Sequence, residues 1–186
     1  MRNSEVWRSV KGCRMWIDDV TEDDYSAILD ANGTAIPHVN SLSRDALDDL
    51  AGQAFYFRAV RNEEGLMGIL LALSQDAVYG SPNFNWFRER YTRFVYIDRI
   101  VVAASVRRGG IGRALYTDLE RRAAASAPLL ACEVNIDPPN PGSMAFHERF
   151  GFAEVGRQYT DGGIKLVRLM VKRLPASSCL TVSIRP

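Results

Sequence analysis

The sequence predicts a mixed α/β (α+β) domain, a twisted sheet of about six to seven strands flanked by helices. Three observations carry that prediction. Strand-like runs alternate with helical ones only in the second half of the chain, so parallel and antiparallel pairings share one sheet. Residues 94–103 are apolar along most of their length, as a strand covered on both faces is. A glycine-rich turn then joins that strand directly to an amphipathic helix. The 186 residues suffice for one domain with a sizeable core and are too few for two comfortable ones.

Taken in order, residues 13–20 read as a first strand. Thr21-Glu22-Asp23-Asp24 then looks like an N-cap with acids in the first turn, opening a helix through Leu29. Residues 32–40, with Gly33 and Pro37, read as a loop. Ser43 caps a second helix whose apolar stripe is Leu42, Ala46, Leu47 and Leu50. Residues 55–60 and 66–73 are strands joined by Arg61-Asn62-Glu63-Glu64-Gly65, a hairpin signal. Residues 80–93 read as irregular and aromatic-rich, with Phe84, Trp86, Phe87 and Tyr91.

Beyond the central strand, a helix over residues 111–125 is expected to bury Ile111, Ala114, Leu115 and Leu119 and to expose Asp118, Glu120, Arg121 and Arg122. Residues 129–136 are another strand. Pro138-Pro139-Asn140-Pro141-Gly142 turns the chain, and residues 143–150 form a short helix. Residues 153–159 and 165–174 close the sheet as a hairpin around Asp161-Gly162-Gly163. The domain therefore spans residues 13–174, and the tail 175–186 has no assignment.

Composition narrows the function classes. Apolar residues make up 47% and charged ones 24%, and the net charge of +1 gives no drive toward nucleic acid or an anionic membrane. Acidic residues crowd the first fifty positions and arginines dominate residues 88–122, which solvated helix faces mostly explain. The start, MRNSEVWRSVKGCRMW, holds no apolar core of signal-peptide length, and the apolar run 66–73 is far short of a membrane span. Cys13, Cys132 and Cys179 are odd in number, widely spaced and without histidine companions, which suits free thiols in a reducing cytoplasm. No metal site is expected.

The stretch YIDRIVVAASVRRGGIGRALYTDL, from Tyr96 to Leu119, points most directly to chemistry. Gly109, Gly110 and Gly112 lack the Cβ atoms that keep a backbone away from a ligand. The N–H groups opening the next helix, with the positive end of its dipole, attract an anion. Arg107, Arg108 and Arg113 add cationic charge there. The loop ends Gly112-Arg113-Ala114 where a Walker loop needs Gly-Lys-Ser/Thr, and Leu115 stands where a dinucleotide fingerprint needs a small residue. Arg107-Arg108-Gly109-Gly110-Ile111-Gly112 instead resembles the Arg-x-x-Gly-x-Gly pyrophosphate loop of the GCN5-related N-acetyltransferases, the GNAT superfamily. Asn140-x-x-Ser143-x-x-x-His147-Glu148-Arg149-Phe150-Gly151-Phe152 resembles the second signature of that family, Asn-x-x-Ala-x-x-x-Tyr-x-x-x-Gly-Phe, in the right order and at similar spacing.

The resemblance covers about residues 13 to 174 and implies a single GNAT-like domain using acetyl-CoA as cosubstrate. It implies an acyltransferase that moves an acetyl group to a primary amine by direct attack of the amine on the thioester; a small-molecule acceptor is favoured over a protein N-terminus because nothing in the sequence reads as a peptide groove. Arg107, Arg108, Gly109, Gly110, Ile111, Gly112 and Arg113, with Asn140 and Ser143, would bind the cofactor. The backbone of Ile100, Val101 and Val102 would hold the pantetheine arm and polarise the thioester carbonyl, a donor type worth roughly 3 kcal/mol of barrier. Family members are frequently dimers, so a homodimer is possible on this analogy.

The family pattern has a tyrosine that serves the departing sulfur where this chain has His147. Imidazolium, with a pKa near 6.5, is acidic enough to protonate a thiolate whose conjugate acid lies near 8.5. His147 is thus a candidate general acid or sulfur contact, with Tyr116 and Tyr159 as substitutes. Helical spacing sets Ser143 and His147 on one face and Phe146 and Phe150 on a core-directed one. Asp98 and Glu133, on successive strands, are alternative bases for the ammonium nucleophile, and alternation points Asp98 away from Arg99. Asn83, Phe84, Asn85 and Trp86 are candidate walls of the acceptor site. The competing reading is a catalytically silent acyl-CoA-binding sensor, which the histidine in place of tyrosine suggests.

Overall fold

The structure, a computed structural model, describes residues 5–8 and 14–175. The chain runs β1 (Glu5–Arg8), β2 (Arg14–Asp19), a 3₁₀ turn, α1 (Tyr25–Thr34), α2 (Arg44–Gln53), β3 (Ala54–Asn62), β4 (Gly65–Ser74), α3 (Pro82–Arg90) and β5 (Val95–Val102). A second 3₁₀ turn leads to α4 (Ile111–Ala123), followed by β6 (Leu129–Asp137), α5 (Pro141–Phe150), β7 (Ala153–Thr160) and β8 (Lys165–Arg173). The strands form an eight-stranded sheet in the order β1-β2-β3-β4-β5-β6-β8-β7. The sheet is mixed, as expected: β5 pairs with β6 in parallel, while β2–β3, β6–β8 and β7–β8 are antiparallel. Seven of these strands match the sequence reading, and β1, antiparallel to β2, is the addition. Cys13, Cys179 and residues 176–186 of the tail lie outside the described residues.

The described residues divide into two compact units, one of those up to Ala72 with Asp98–Leu119 and one of Leu73–Ile97 with those from Glu120 on. In the first, Tyr25 and Ile28 of α1 and Leu47 of α2 are buried with Ala59 of β3, Ile69 of β4 and Val101 of β5. Ser43 caps α2 as predicted, its Oγ accepting from the Ala46 N–H at 3.2 Å. The second unit centres on aromatic rings: Phe84 lies 5.4 Å from Tyr96 and 5.7 Å from Phe94, and Phe87 lies 6.0 Å from Tyr96, centroid to centroid.

Several elements depart from expectation for identifiable reasons. Residues 80–93 are not irregular throughout, because α3 runs through them. Ser81 caps that helix, its Oγ accepting from the Phe84 N–H at 3.4 Å, and Pro82 sits in its first turn. The acidic opening after Thr21 makes a 3₁₀ turn, with the Thr21 N–H on Asp24 Oδ2 at 2.8 Å, before α1 continues to Thr34. Asn32, read as loop, is a buried residue of α1. Asp118 is not exposed on α4. It is 3% exposed, and its Oδ2 accepts from Tyr56 Oη at 2.8 Å and Arg58 Nη1 at 2.7 Å. Burial works against the Arg58 charge, but the hydrogen bond and charge of Asp118 outweigh it and hold the guanidinium pKa above its ordinary value.

Candidate active site

In the first unit, β5 ends at Val102 and the arginine–glycine loop follows at once. Arg107 turns back so that its Nε donates to the Val102 carbonyl at 3.2 Å. Arg108 and Gly110 both take left-handed backbone conformations, with φ of 64° and 86°. The Gly109 N–H donates to the Val106 carbonyl at 3.2 Å, and a Cβ on Gly109 would lie 2.9 Å from that same oxygen. Only glycine fits there without a shift. The Gly110 carbonyl accepts from the Ala114 N–H at 2.9 Å, so helical bonding begins at Gly110. A first turn so formed directs the N–H groups of Ile111, Gly112 and Arg113 away from the helix body. Arg107, Arg108 and Arg113 are exposed, which leaves their charge available to an anion. Gly68 of β4 completes the packing: a Cβ there would come within 2.9 Å of the Val101 carbonyl and 3.1 Å of Ile111 Cγ2.

Asp98 and Arg99 do not keep the separation that strand alternation suggests. The long arginine side chain curls back, and its Nε donates to Asp98 Oδ2 at 2.6 Å with both side chains buried. Arg99 Nη1 also donates to Asn32 Oδ1 at 2.8 Å, and Asn32 Nδ2 donates to the Asn40 carbonyl at 3.0 Å. This relay ties β5 to α1 and to the segment after it, and it neutralises the charge of Asp98.

The second unit holds the other carboxylate. Tyr96 of β5, 1% exposed, donates from its Oη to Glu133 Oε2 at 2.7 Å. The register explains the meeting: Tyr96 pairs with Ala131, and Glu133 lies two residues further along the same face of β6. The sequence reading did not single out Tyr96, although a parallel pairing of the two apolar strands would have placed it there. Cys132, on the opposite face, is a buried free thiol whose pKa is pushed well up by burial and then by the nearby Glu133 charge.

Asn140 is the N-cap of α5, its Oδ1 accepting from the Ser143 N–H at 3.2 Å. His147, one turn after Ser143, is 3% exposed, with Nδ1 2.8 Å from the Ser143 carbonyl and 3.3 Å from Ser143 Oγ. A carbonyl only accepts, so the proton sits on Nδ1. Burial pulls the imidazole pKa below 6.5, partly offset by the Ser143 carbonyl. The ring packs edge-on against Phe146 and Phe152. The buried face of α5 is thus that of His147, while Phe146 and Phe150, expected to face the core, are half-buried. Burial in this way disfavours the imidazolium form that a proton donor needs. Of the substitutes, Tyr116 is fully buried and Tyr159 is 67% exposed.

The four candidate acceptor residues are on α3 rather than in a loop. Phe84 is fully buried among the rings and cannot form a wall of a site open to solvent. Asn83 is also buried, and its Oδ1 accepts from Gln158 Nε2 of β7 at 3.0 Å. Trp86 lies over Gly156 of β7, where an added Cβ would come within 2.7 Å of the indole, and the Arg90 guanidinium sits 4.0 Å from the Trp86 ring centroid. Asn85 is half-buried. These contacts fasten α3 to β7.

With that geometry in view, the sequence model described as the Acetyltransferase (GNAT) family matches residues 14–152. The chain belongs to the GNAT acetyltransferase family. Solved structures agree on the fold. The ribosomal-protein-S18-alanine N-acetyltransferase of Escherichia coli superposes with a TM-score of 0.67 at 17% identity, over 90% of this chain and 99% of that one. Arabidopsis thaliana NAA60 in complex with a bisubstrate analogue gives 0.69 at 17% identity, over 88% and 99%. Chaetomium thermophilum Naa20, also with a bisubstrate analogue, gives 0.67 at 21% identity, over 85% and 86%. Among curated proteins no sequence matches. No helix among the described residues is long and apolar enough to cross a membrane, and those residues hold no cluster of His, Cys, Asp and Glu able to bind a metal ion.

Proposed function

We propose that this GNAT enzyme transfers an acetyl group from acetyl-CoA to the primary amine of a small molecule. The observation that carries the cosubstrate is the loop from Arg107 to Gly112. Its left-handed turns at Arg108 and Gly110, its Cβ-free Gly109 and three exposed arginines suit a diphosphate at the start of α4. On this reading Arg107, Arg108, Gly109, Gly110, Ile111, Gly112 and Arg113 hold the diphosphate, and Asn140 and Ser143 contact the cofactor at the start of α5. The backbone of Ile100, Val101 and Val102 holds the pantetheine arm and donates to the oxyanion.

Glu133 is the base. Its Oε2 accepts from Tyr96 Oη at 2.7 Å, which orients the carboxylate to take the proton of a bound ammonium. The freed amine attacks the thioester carbonyl carbon, the C–S bond breaks, and the departing thiolate takes the second proton that the nitrogen loses as the amide forms. Asp98 acts as a structural anchor through Arg99 and Asn32. His147 supports the start of α5 through Ser143 and supplies no proton. Asn85 and Trp86 are the members of α3 that remain candidates for acceptor contact. A cytoplasmic location belongs to the same reading and rests on cysteines without a pairing pattern.

The test is incubation with acetyl-CoA and a panel of amino acids, polyamines, aminoglycosides and N-terminal peptides, with thiol release and product mass read together. Thiol release matched by an acetylated small amine is the expected result. Acetylation of peptides alone would overturn the acceptor class. Tight acetyl-CoA binding without transfer to any amine would instead support a silent sensor.

A further inference from the structure

Asn135 lies near the end of β6, two residues after Glu133 and therefore on the same face of the strand. It is 8% exposed, and its Nδ2 is buried without a hydrogen-bond partner among the described residues. Its backbone carbonyl accepts from the Asn140 N–H at 3.3 Å, which puts it in the turn that delivers the Asn140 cap and α5. The antiparallel register of β6 on β8 also shifts between Asn135 and Asp137. Buried carboxamides are nearly always paired, and one that is not lacks the compensation that made its burial tolerable. A donor left in this state, between a carboxylate and the cofactor-binding turn, matches an oxygen that arrives with a substrate.

The chemistry of that oxygen follows from the donor. An N–H faces an acceptor, and an amine nucleophile brings mainly N–H groups of its own. The acyl donor brings carbonyls, in the amides of its pantetheine arm and in its thioester. We infer that the Asn135 carboxamide is a further binding residue for acetyl-CoA, its Nδ2–H donating to a carbonyl oxygen of the bound acyl donor beside Glu133. The inference rests on the acetyl-CoA reading above.

Two variants and two ligands test it. Asn135→Leu keeps the volume and removes the donor. Asn135→Asp keeps the shape and replaces the donor with a charged acceptor. Each is titrated calorimetrically with CoA, which has the pantetheine amides, and with acetyl-CoA, which adds the thioester. Loss of one neutral hydrogen bond weakens binding by about 3- to 10-fold in Asn135→Leu, and the carboxylate of Asn135→Asp weakens it further, by about 10- to 100-fold. Equal weakening for both ligands assigns the oxygen to the pantetheine arm, and weakening for acetyl-CoA alone assigns it to the thioester. The melting temperature of ligand-free Asn135→Leu stays near that of the parent, because no internal hydrogen bond is lost. Unchanged affinity in both variants overturns the inference, as does Asn135→Asp binding as well as the parent, which would make the buried atom an acceptor. A parent protein that binds neither ligand overturns the acetyl-CoA reading itself.

Discussion

Asp98 and Glu133 are both strand carboxylates, and both looked equally suited to deprotonate an amine. Their surroundings separate them. Asp98 is buried against the guanidinium of Arg99, which also holds Asn32, so its charge is matched and its oxygen is engaged in a structural relay. Glu133 accepts from the phenol of Tyr96 at 2.7 Å, a partner that orients the carboxylate without itself bringing a formal charge. Residue type and strand position are the same in kind. The partner decides whether a carboxylate holds the fold or remains able to take a proton.

Replacing each carboxylate by its amide tests that contrast. Glu133→Gln lowers kcat by about 10²- to 10⁴-fold, the usual worth of a general base, with acetyl-CoA binding and melting temperature nearly kept. Asp98→Asn strands a buried guanidinium and costs about 3–5 kcal/mol of stability, read by denaturant titration, while the folded fraction turns over at a rate close to the parent. If Asp98→Asn folded normally and lost turnover, the two roles would have to be exchanged. Tyr96→Phe probes the orienting partner alone: losing a hydrogen bond to a charged group lowers kcat by about 10- to 100-fold, and an unchanged rate would leave Glu133 without need of the phenol.

Smaller effects are expected away from the carboxylates. Gly110→Trp forces a side chain onto a φ of 86°, strain of about 1–3 kcal/mol, and should raise the KM for acetyl-CoA at least about tenfold. Unchanged KM would remove the loop from the cofactor site. The weakest expected signal is that of His147, whose folded-state pKa is depressed by burial. The unfolded chain then binds the proton more readily, so stability is complete above about pH 6.5 and falls as the pH drops below it. The slope cannot exceed about 1.4 kcal/mol per pH unit for one proton. His147→Gln should flatten the melting temperature between pH 7.5 and 5, and a slope that persists unchanged would point to another group.

What could be read in the sequence was local. The Gly109–Gly110 turn and the Ser43 cap each follow from backbone rules spanning a few residues, and each is where it was expected, whereas α5 begins two residues before its expected start, capped by Asn140. Local signals for α3 were also present in Ser81-Pro82, but the aromatic residues that follow read equally well as a loop. The misreadings are long-range. Asp118 was placed outside because its partner Arg58 lies sixty residues earlier in the chain. Arg99 reaches a neighbour that alternation sets on the other face, and Tyr96 finds Glu133 only through the register of β5 on β6. The face of α5 that faces inward was settled by Phe152, beyond the helix itself.

Cys132 gives these questions a clock. Its thiol is buried on the face of β6 opposite Glu133, and its raised pKa keeps it from the reactive thiolate form. Alkylation at that position therefore requires β6 to open, and the labelling rate, read by peptide mass, measures how often it does. A bound ligand that braces β6 would slow that rate in proportion to its occupancy, so the same thiol reports ligand binding at its own strand without touching the ligand.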